Sequence, residues 1–382
     1  MFDPVRVALL TAKMSPAAGG LSVSVPGMAY GLDAFEDVET HVLGTLDPAD
    51  PDAAREWGRR VQAFAVSGPA ALQRAPDMAP ALKRLNPDIV DVQGMWTWSS
   101  KVSLDRHRRL NTPYIVTPRG MLDPWARANS AWKKRLFGML VETEHLRRAR
   151  CIRATAEMEA AHFRDIGITA PIAIVPNAIG MAPLLPRPAP SGRRQVLFLS
   201  RIHRKKGIAF LLMAWAKLAE RFPDWDLVIA GIDENGHLAE MKSRAAELGL
   251  TRVSFPGALH GAQKDALFRA SDLFVLPTHA ENFGLVVAEA LAQEVPVITT
   301  HNAPWAGLEE RGCGWWIPLD EARLTETMAQ AMSKPQAELQ QMGQRGRAWI
   351  AAEFAPEEVA ARMREVYLWA VGRGERPDHV HE

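Results

Sequence analysis

Two cysteines in 382 residues, Cys151 and Cys313, exclude a disulfide framework. They fall in different halves, and neither has the paired spacing or His/Cys neighbourhood of a zinc site. Free thiols in a reducing compartment account for both. No apolar run approaches the roughly 20 residues that cross a bilayer as a helix. The net charge is only +1, which argues against a general nucleic-acid binder. No short-period repeat is present. The opening "MFDPVRVALLTAK" has an Asp where a secretory signal wants basic residues, and its short apolar run reads as a first strand. A cytoplasmic location is therefore expected. What remains is an ordinary globular composition, 47% apolar and 23% charged, in a chain long enough for two domains.

Short β-branched runs alternate with helical stretches from end to end. In the first half the strand candidates are "VRVALLT" (5–11), "THVLGTL" (40–46), "VQAFAVS" (61–67), "DIVDVQ" (88–93), "PYIVTP" (113–118), "CIRATA" (151–156) and "PIAIVP" (171–176). Then "MAPLLPRPAPSGRR" brings four prolines and no periodicity, the best linker in the chain. The pattern restarts with "QVLFLS" (195–200), "DLVIAG" (226–231), "VSFPG" (253–257), "LFVLPT" (273–278) and "PVITT" (296–300). Such alternation implies parallel sheets covered by helices, here two Rossmann-like α/β domains in tandem. Ligands of open α/β sheets bind outside the carboxyl ends of the strands, so the cleft between two such domains is the default site. The tail "GRGERPDHVHE" is expected to be disordered, with His379 and His381 solvated rather than metal-binding.

Two constellations carry chemistry. After strand "QVLFLS" comes "RIHRKKG", then a helix, which puts Arg201, Arg204, Lys205 and Lys206 between a strand's carboxyl end and a helix's amino end. Cations there oppose the helix dipole, and the amides there want an acceptor; a phosphate would answer both, and a solvated charge run is the plain alternative. The second is "ENFGLVVAEALAQEVPVI" (281–298), a buried-looking helix flanked and interrupted by carboxylates at Glu281 and Glu289. A buried ionised carboxylate needs a partner. Asn282 is a candidate N-cap, and Gly284 lets a ligand approach the amides of Gly284, Leu285 and Val286 beside Phe283. Eight residues of helix rise about 12 Å, close to the span from sugar ring to ribose in a nucleotide sugar. Glu281 can thus serve hexose hydroxyls and Glu289 ribose hydroxyls. Alternatively Glu281 complements the helix dipole and Glu289 pairs with a buried Arg.

These residues together resemble the retaining glycosyltransferases of family 4, which have the GT-B fold. Glu281 and Glu289 match the Glu-x7-Glu spacing, and Arg201, Lys206 and Gly207 match Arg-x4-Lys-Gly. "VPNA" (175–178) resembles the Pro-Asn-Gly that closes the first domain, with Ala178 for Gly, and "GGLSVSV" (19–25) the N-terminal Gly-Gly loop. The resemblance spans almost the whole chain. It implies an acceptor domain over 1–183, a donor domain over 193–355, and a last helix, 356 onward, returning to the first domain. It also implies retaining sugar transfer from a nucleotide diphosphate sugar, GDP-mannose or a UDP-hexose, to a glycan or lipid-linked glycan. Arg201 and Lys206 would hold the pyrophosphate without a metal. Glu281 would position the sugar and Glu289 the ribose; the amides of Gly284 to Val286, with Gly19 and Gly20, would contact phosphate and sugar. The base would stack near Ala258–Leu259. The family mechanism is drawn as front-face substitution, so no carboxylate nucleophile is expected. A GT-B epimerase, a phosphorylase and a catalytically inactive sugar-nucleotide-binding scaffold are the competing readings.

Two departures concern the acceptor side. In "TPRGML" Arg119 stands where relatives often carry His, and in "VQGMW" Gln93 does, three residues before Trp96. "TPRGMLDPWA" resembles exopolysaccharide and O-antigen transferases of the family. Asp-x-Asp, which holds a divalent cation in other glycosyltransferases, occurs as "DPD" (50–52) in a polar loop and "DWD" (224–226) at a strand's amino end, and both read as chance. His203, His260, His279 and His301 lie near strand ends and read as structural.

Residues 101–150 hold twelve Lys/Arg against four Asp/Glu. Within them "WARANSAWKKRLFGML" (125–140) interleaves Trp125, Trp132 and Leu136 with Arg127, Lys133, Lys134 and Arg135. A core-facing stripe with a solvated basic face explains the pattern, and weak association with the anionic inner face of the cytoplasmic membrane uses the same charges. That association predicts sedimentation with phosphatidylglycerol vesicles at low salt that is lost by a few hundred millimolar NaCl. Absence of binding at low salt would remove the membrane from the account.

Overall fold

The computed structural model describes residues 3–68, 72–123, 141–181, 183–187 and 192–382. The chain divides into two compact units, Met1–Gly180 with Phe354–Glu382, and Met181–Glu353. The basic stretch 125–140 lies outside the described residues.

The first unit is built on an eight-stranded sheet. Its strands are β1 (Val5–Lys13), β2 (Val38–Thr45), β3 (Val61–Phe64), β4 (Ile89–Gln93), β5 (Tyr114–Thr117), β6 (Cys151–Ala154), β7 (Ile172–Ile174) and β14 (Val380–His381), in the order β14-β7-β6-β5-β4-β1-β2-β3. All neighbours run parallel except β14 on β7. Both faces are covered, as a parallel sheet requires. Along β1 the period of two sorts Val5, Val7 and Leu9 into one core with Val359, Met363 and Val366 of the helix Pro356–Ala370. Ala8 and Leu10 enter the opposite core with Met78, Leu82, Val102 and Phe163. The returning helix is held by polar contacts as well. Arg364 grips Asp37, with Nε 2.7 Å from Oδ1, and the Tyr367 hydroxyl donates to Oδ2 of Asp91 at 2.7 Å.

The tail corrects the sequence reading. It is folded: Val380 is buried, Ile174 N–H donates to the carbonyl of His379 at 2.9 Å, and His379 bonds the carbonyl of Arg362. One valine and a few backbone groups suffice, because β14 covers the edge of β7 through main-chain bonds that composition does not report.

The second unit has β8 (Arg194–Leu199), β9 (Trp225–Ala230), β10 (Val253–Gly257), β11 (Leu273–Leu276), β12 (Val297–Thr300) and β13 (Gly314–Ile317), all parallel, in the order β10-β9-β8-β11-β12-β13. β13 has no counterpart among the expected strands. Its Trp315 and Trp316 favour the pleated backbone, but the run is only four residues long and half-buried. The strand order reverses between β1 and β4 in the first unit and between β8 and β11 in the second. Adjacent loops diverge there and open a crevice at the strands' carboxyl ends.

Asp91 lies wholly inside the first unit. Burial raises its pKa, opposed by the Tyr367 bond and the charges of Arg153 and Arg119. A carboxyl with a raised folded pKa is least costly when protonated, and its ionisation removes stability as pH rises through that pKa. Tyr367 lessens this loss. Tyr367→Phe is expected to cost about 1–3 kcal/mol at neutral pH. The deficit should shrink on acidification, beginning above the ordinary aspartate value of 3.8, in urea melts run across pH.

Candidate functional site

The crevice of the second unit is framed by the loop after β8 and the loop after β11. The first makes a single tight turn over Arg204–Lys206, capped by His203, whose Nδ1 accepts the Lys205 N–H at 3.1 Å. It ends at Gly207, with φ of +70°. A Cβ there would stand 1.8 Å from the carbonyl oxygen of Pro277, so only glycine permits this approach. The two loops are then stitched by backbone: His279 N–H donates to the carbonyl of Lys205 at 2.8 Å, and the Thr278 hydroxyl to the same oxygen at 3.2 Å. The approach delivers the Lys206 ammonium to the Glu281 carboxylate, both nearly buried at 8% and 10% side-chain exposure. Lys206 is thus the partner that Glu281 required. Glu281 is fixed from behind by its own N–H, which donates to the carbonyl of Asn302 at 2.8 Å.

The helix that follows is Leu285–Ala292, and its N-cap is Gly284 at φ +78°. This corrects the expectation for Asn282, which lies two residues earlier. Phe283 is buried between them against Trp305, with ring centroids 5.3 Å apart, and the chain turns only after it. The N–H groups of Gly284, Leu285 and Val286 have no acceptor among the described residues. They leave three open donors at the helix's amino end, beside the Lys206–Glu281 pair.

Glu289 is held at 2.7 Å by Lys264 of the helix Gly261–Arg269, not by an arginine. Arg201 is turned to solvent and to Glu234 at 2.8 Å. Lys206, Glu281 and the three amides thus form one cluster, while Glu289 and Arg201 each have a separate, partly exposed counter-ion. Lys264 and Glu234 were missed; an (i, i+25) or (i, i+33) pairing leaves no mark in local pattern. Of the Asp-x-Asp pairs, Asp226 is engaged by Arg193 at the amino end of β9. Among the described residues no group of three or more His, Cys, Asp or Glu is gathered as for a metal ion.

In the first unit, Gly19 (φ +62°) and Gly20 open the helix Leu21–Leu32 just past β1. Space around Gly19 is open, and the Ser22 and Ser24 hydroxyls bond the carbonyls of Gly19 and Gly20. Across the switch point, Gln93 and Arg119 are direct partners, Nε to Oε1 at 3.0 Å, and Arg119 also donates to Asn177. Gln93 in turn bonds Asp91 at 2.6 Å. Arg119 adopts φ +57° and Trp96 φ +58°, left-handed conformations rare for such side chains. Trp96 N–H donates to buried Glu142 at 2.6 Å. Burial, then the neighbouring Arg153, pull the Arg119 pKa below its ordinary value, against Asp91 and Glu159; a guanidinium still stays charged at neutral pH. Glu159 accepts from Thr155 N–H (2.7 Å), the Thr155 hydroxyl (2.8 Å) and Gly120 N–H (3.1 Å). Asp91, Arg153, Glu159 and Tyr367 were not anticipated. Only Asp91, an acid inside the apolar strand "IVDVQ", left a sequence signal.

Similarity to known proteins agrees with this construction. The family described as "Glycosyl transferases group 1" matches residues 186–349, and "Glycosyl transferase 4-like domain" matches 19–178. The chain belongs to the family 4 glycosyltransferases of GT-B fold. A lipopolysaccharide core biosynthesis mannosyltransferase of Rhizobium meliloti is 33% identical over 174 residues, 44% of this chain and 49% of that protein. The match thus spans about half the length of that relative, as it does for a glycogen synthase of Mycobacterium tuberculosis. A GDP-mannose:cellobiosyl-diphosphopolyprenol alpha-mannosyltransferase of Xanthomonas oryzae is 23% identical, over 86% of this chain and 87% of its own. Among solved structures, sucrose-phosphate synthase of Thermosynechococcus elongatus superposes with a TM-score of 0.77 at 22% identity, covering 96% of this chain and 99% of that one. HepE of Anabaena, in complex with UDP and glucose, gives 0.75 at 18%, covering 95% and 99%. At these identities the structures speak for the fold alone.

Lys206→Met leaves the Glu281 carboxylate buried without its cation, and is expected to cost about 3 kcal/mol in denaturant melts. Adding Glu281→Gln should restore most of that loss; if it does not, the pair is not what holds the two loops.

Proposed function

We propose that the protein is a metal-independent, retaining glycosyltransferase that moves a hexose from a nucleotide diphosphate sugar to a glycan or polyprenyl-diphosphate-linked acceptor in surface-polysaccharide biosynthesis. The observation that carries the reading is the buried Lys206–Glu281 pair beside three open helix amides at the switch point of β8 and β11. Lys206 and the amides of Gly284, Leu285 and Val286 neutralise charge developing on the pyrophosphate as it leaves. Arg201 joins them when it exchanges Glu234 for phosphate. Glu281, oriented by Lys206, accepts hydrogen bonds from the sugar's hydroxyls. Glu289 exchanges Lys264 for the ribose hydroxyls. The base lies near Ala258–Leu259. Substitution takes place on the front face of the sugar, with a donor phosphate oxygen taking the acceptor's proton.

In the first unit, Gln93, Trp96 and Arg119 serve the acceptor, and Arg119 supplies a fixed cation suited to a phosphate-bearing one. The mannosyltransferase relatives support GDP-mannose and an O-antigen or exopolysaccharide product, and the relative named for a diphosphopolyprenol acceptor supports a lipid-linked one. The fold is shared with a UDP complex, so UDP-hexoses are the other donor class. A lipid-linked acceptor would place the protein at the inner face of the cytoplasmic membrane. Among the described residues no helix is long and apolar enough to cross it.

The test is a thermal-shift panel of UDP, GDP, ADP and their common sugars, with EDTA and with Mg²⁺. A ligand at a hundred times its dissociation constant should add about 2.7 kcal/mol. One diphosphate class should stabilise the protein equally in both buffers and fail to do so with Lys206→Ala. The matching donor is then followed by product anomer assignment. A shift that appears only with Mg²⁺, or an inverted product, would contradict the proposal.

A further inference from the structure

We infer that Trp305 is a positioning residue for the donor diphosphate, acting through the carbonyl of Phe283. The inference rests on the donor-site reading above and adds to it the group that aims the phosphate-binding amide. Trp305 comes from the loop after β12, outside both loops that frame the crevice, and is 1% exposed. Its indole Nε1–H donates to the Phe283 carbonyl oxygen at 2.6 Å. Phe283 and Gly284 share that peptide plane. In a trans peptide the C=O and the N–H point in opposite directions, and no described peptide is cis. An indole that fixes the carbonyl inward therefore turns the Gly284 N–H outward, away from Trp305.

Gly284 has unusual need of such a clamp. At φ +78° it is a residue with wide conformational choice, and its N–H is the first of the three amides without an acceptor. Rotation of this one peptide would point a carbonyl oxygen, not an N–H, at an incoming anion. The indole itself is immobilised: its ring packs on Phe283 at 5.3 Å and meets Trp349 edge-on at 5.4 Å. Its backbone is tied on both sides, with Trp305 N–H donating to Ala303 and the Trp305 carbonyl accepting from Leu308. A phenylalanine would fill most of the same space and could not donate.

The experiment compares Trp305→Phe with wild type in calorimetric titrations of UDP against UMP and GDP against GMP. The expected result is loss of about tenfold in affinity for the diphosphate that wild type prefers, the size of one hydrogen bond to a charged group. The monophosphate affinity and the melting temperature should hold. Trp349→Phe, which alters the same aromatic packing without touching the carbonyl, should leave both affinities alone. If Trp305→Phe is unfolded, replacing Trp305 with its benzothiophene analogue, which swaps only N–H for sulfur, carries the same expectation. Should the N–H-deficient protein keep the wild-type preference for diphosphate, Trp305 is packing alone and the inference falls while the donor site stands. Equal losses for mono- and diphosphate, or an equal effect from Trp349→Phe, also overturn it. If wild type itself shows no preference for diphosphate, the donor-site reading fails, and the inference with it.

Discussion

The second unit turns on one close approach: the glycine at 207 against the carbonyl of Pro277. Because no side chain intervenes, the loops after β8 and β11 share backbone hydrogen bonds, and the Lys206 ammonium reaches Glu281 in a nearly dry setting. Such a pair is not a strong source of stability. Removing two charges from water costs several kcal/mol each, and their attraction roughly returns it. Its value is geometric. A carboxylate and an ammonium are set in fixed directions, at the mouth of the sheet, next to amides that have no acceptor among the described residues. Under the proposed function, an anionic ligand would meet partners already fixed in direction, which is the condition for electrostatic catalysis.

The first unit solves a different problem by the same means. Asp91, Arg153 and Glu159 are ionisable groups inside a protein, and each is tolerated because backbone or hydroxyl partners surround it. Their chain of contacts ends at Arg119 and Gln93, the two acceptor-side positions that differ from the family resemblance. Since Arg119 is braced by Gln93 and Asn177 in a left-handed backbone, the substitution is not a lone change in an otherwise conventional loop. It comes with its own support.

Much of this was legible in the sequence, and the reason is local. Strands with a period of two, a tight basic turn and a Glu-x7-Glu segment are local patterns, so the α/β class and twelve of the strands could be read directly, while the pairing of Lys206 with Glu281 across 75 positions could not. What was missed is non-local or has no side-chain signature. Lys264 meets Glu289 across two helices, Tyr367 meets Asp91 across 276 positions, and Trp305 acts on a peptide carbonyl. The tail misled for a related reason: its polarity describes the side chains, whereas β14 is held through the main chain. The N-cap was misplaced because Asn282 has the better capping chemistry, yet the burial of Phe283 moves the turn to Gly284.

The return of residues 354–382 to the first unit has a consequence for how the protein is made. On the ribosome the second unit has all of its chain, 181–353, before the first unit has its last helix and edge strand. Until those emerge, the core face bearing Val5, Val7 and Leu9 is uncovered, Asp91 lacks its hydroxyl donor, and β7 is a bare edge. Synthesis therefore proceeds N-terminus first while completion does not: the unit begun earliest is finished last. For that interval the nascent chain presents an uncovered apolar face and a bare strand edge, the features that invite aggregation, and a chain lacking residues 354–382 keeps both exposed.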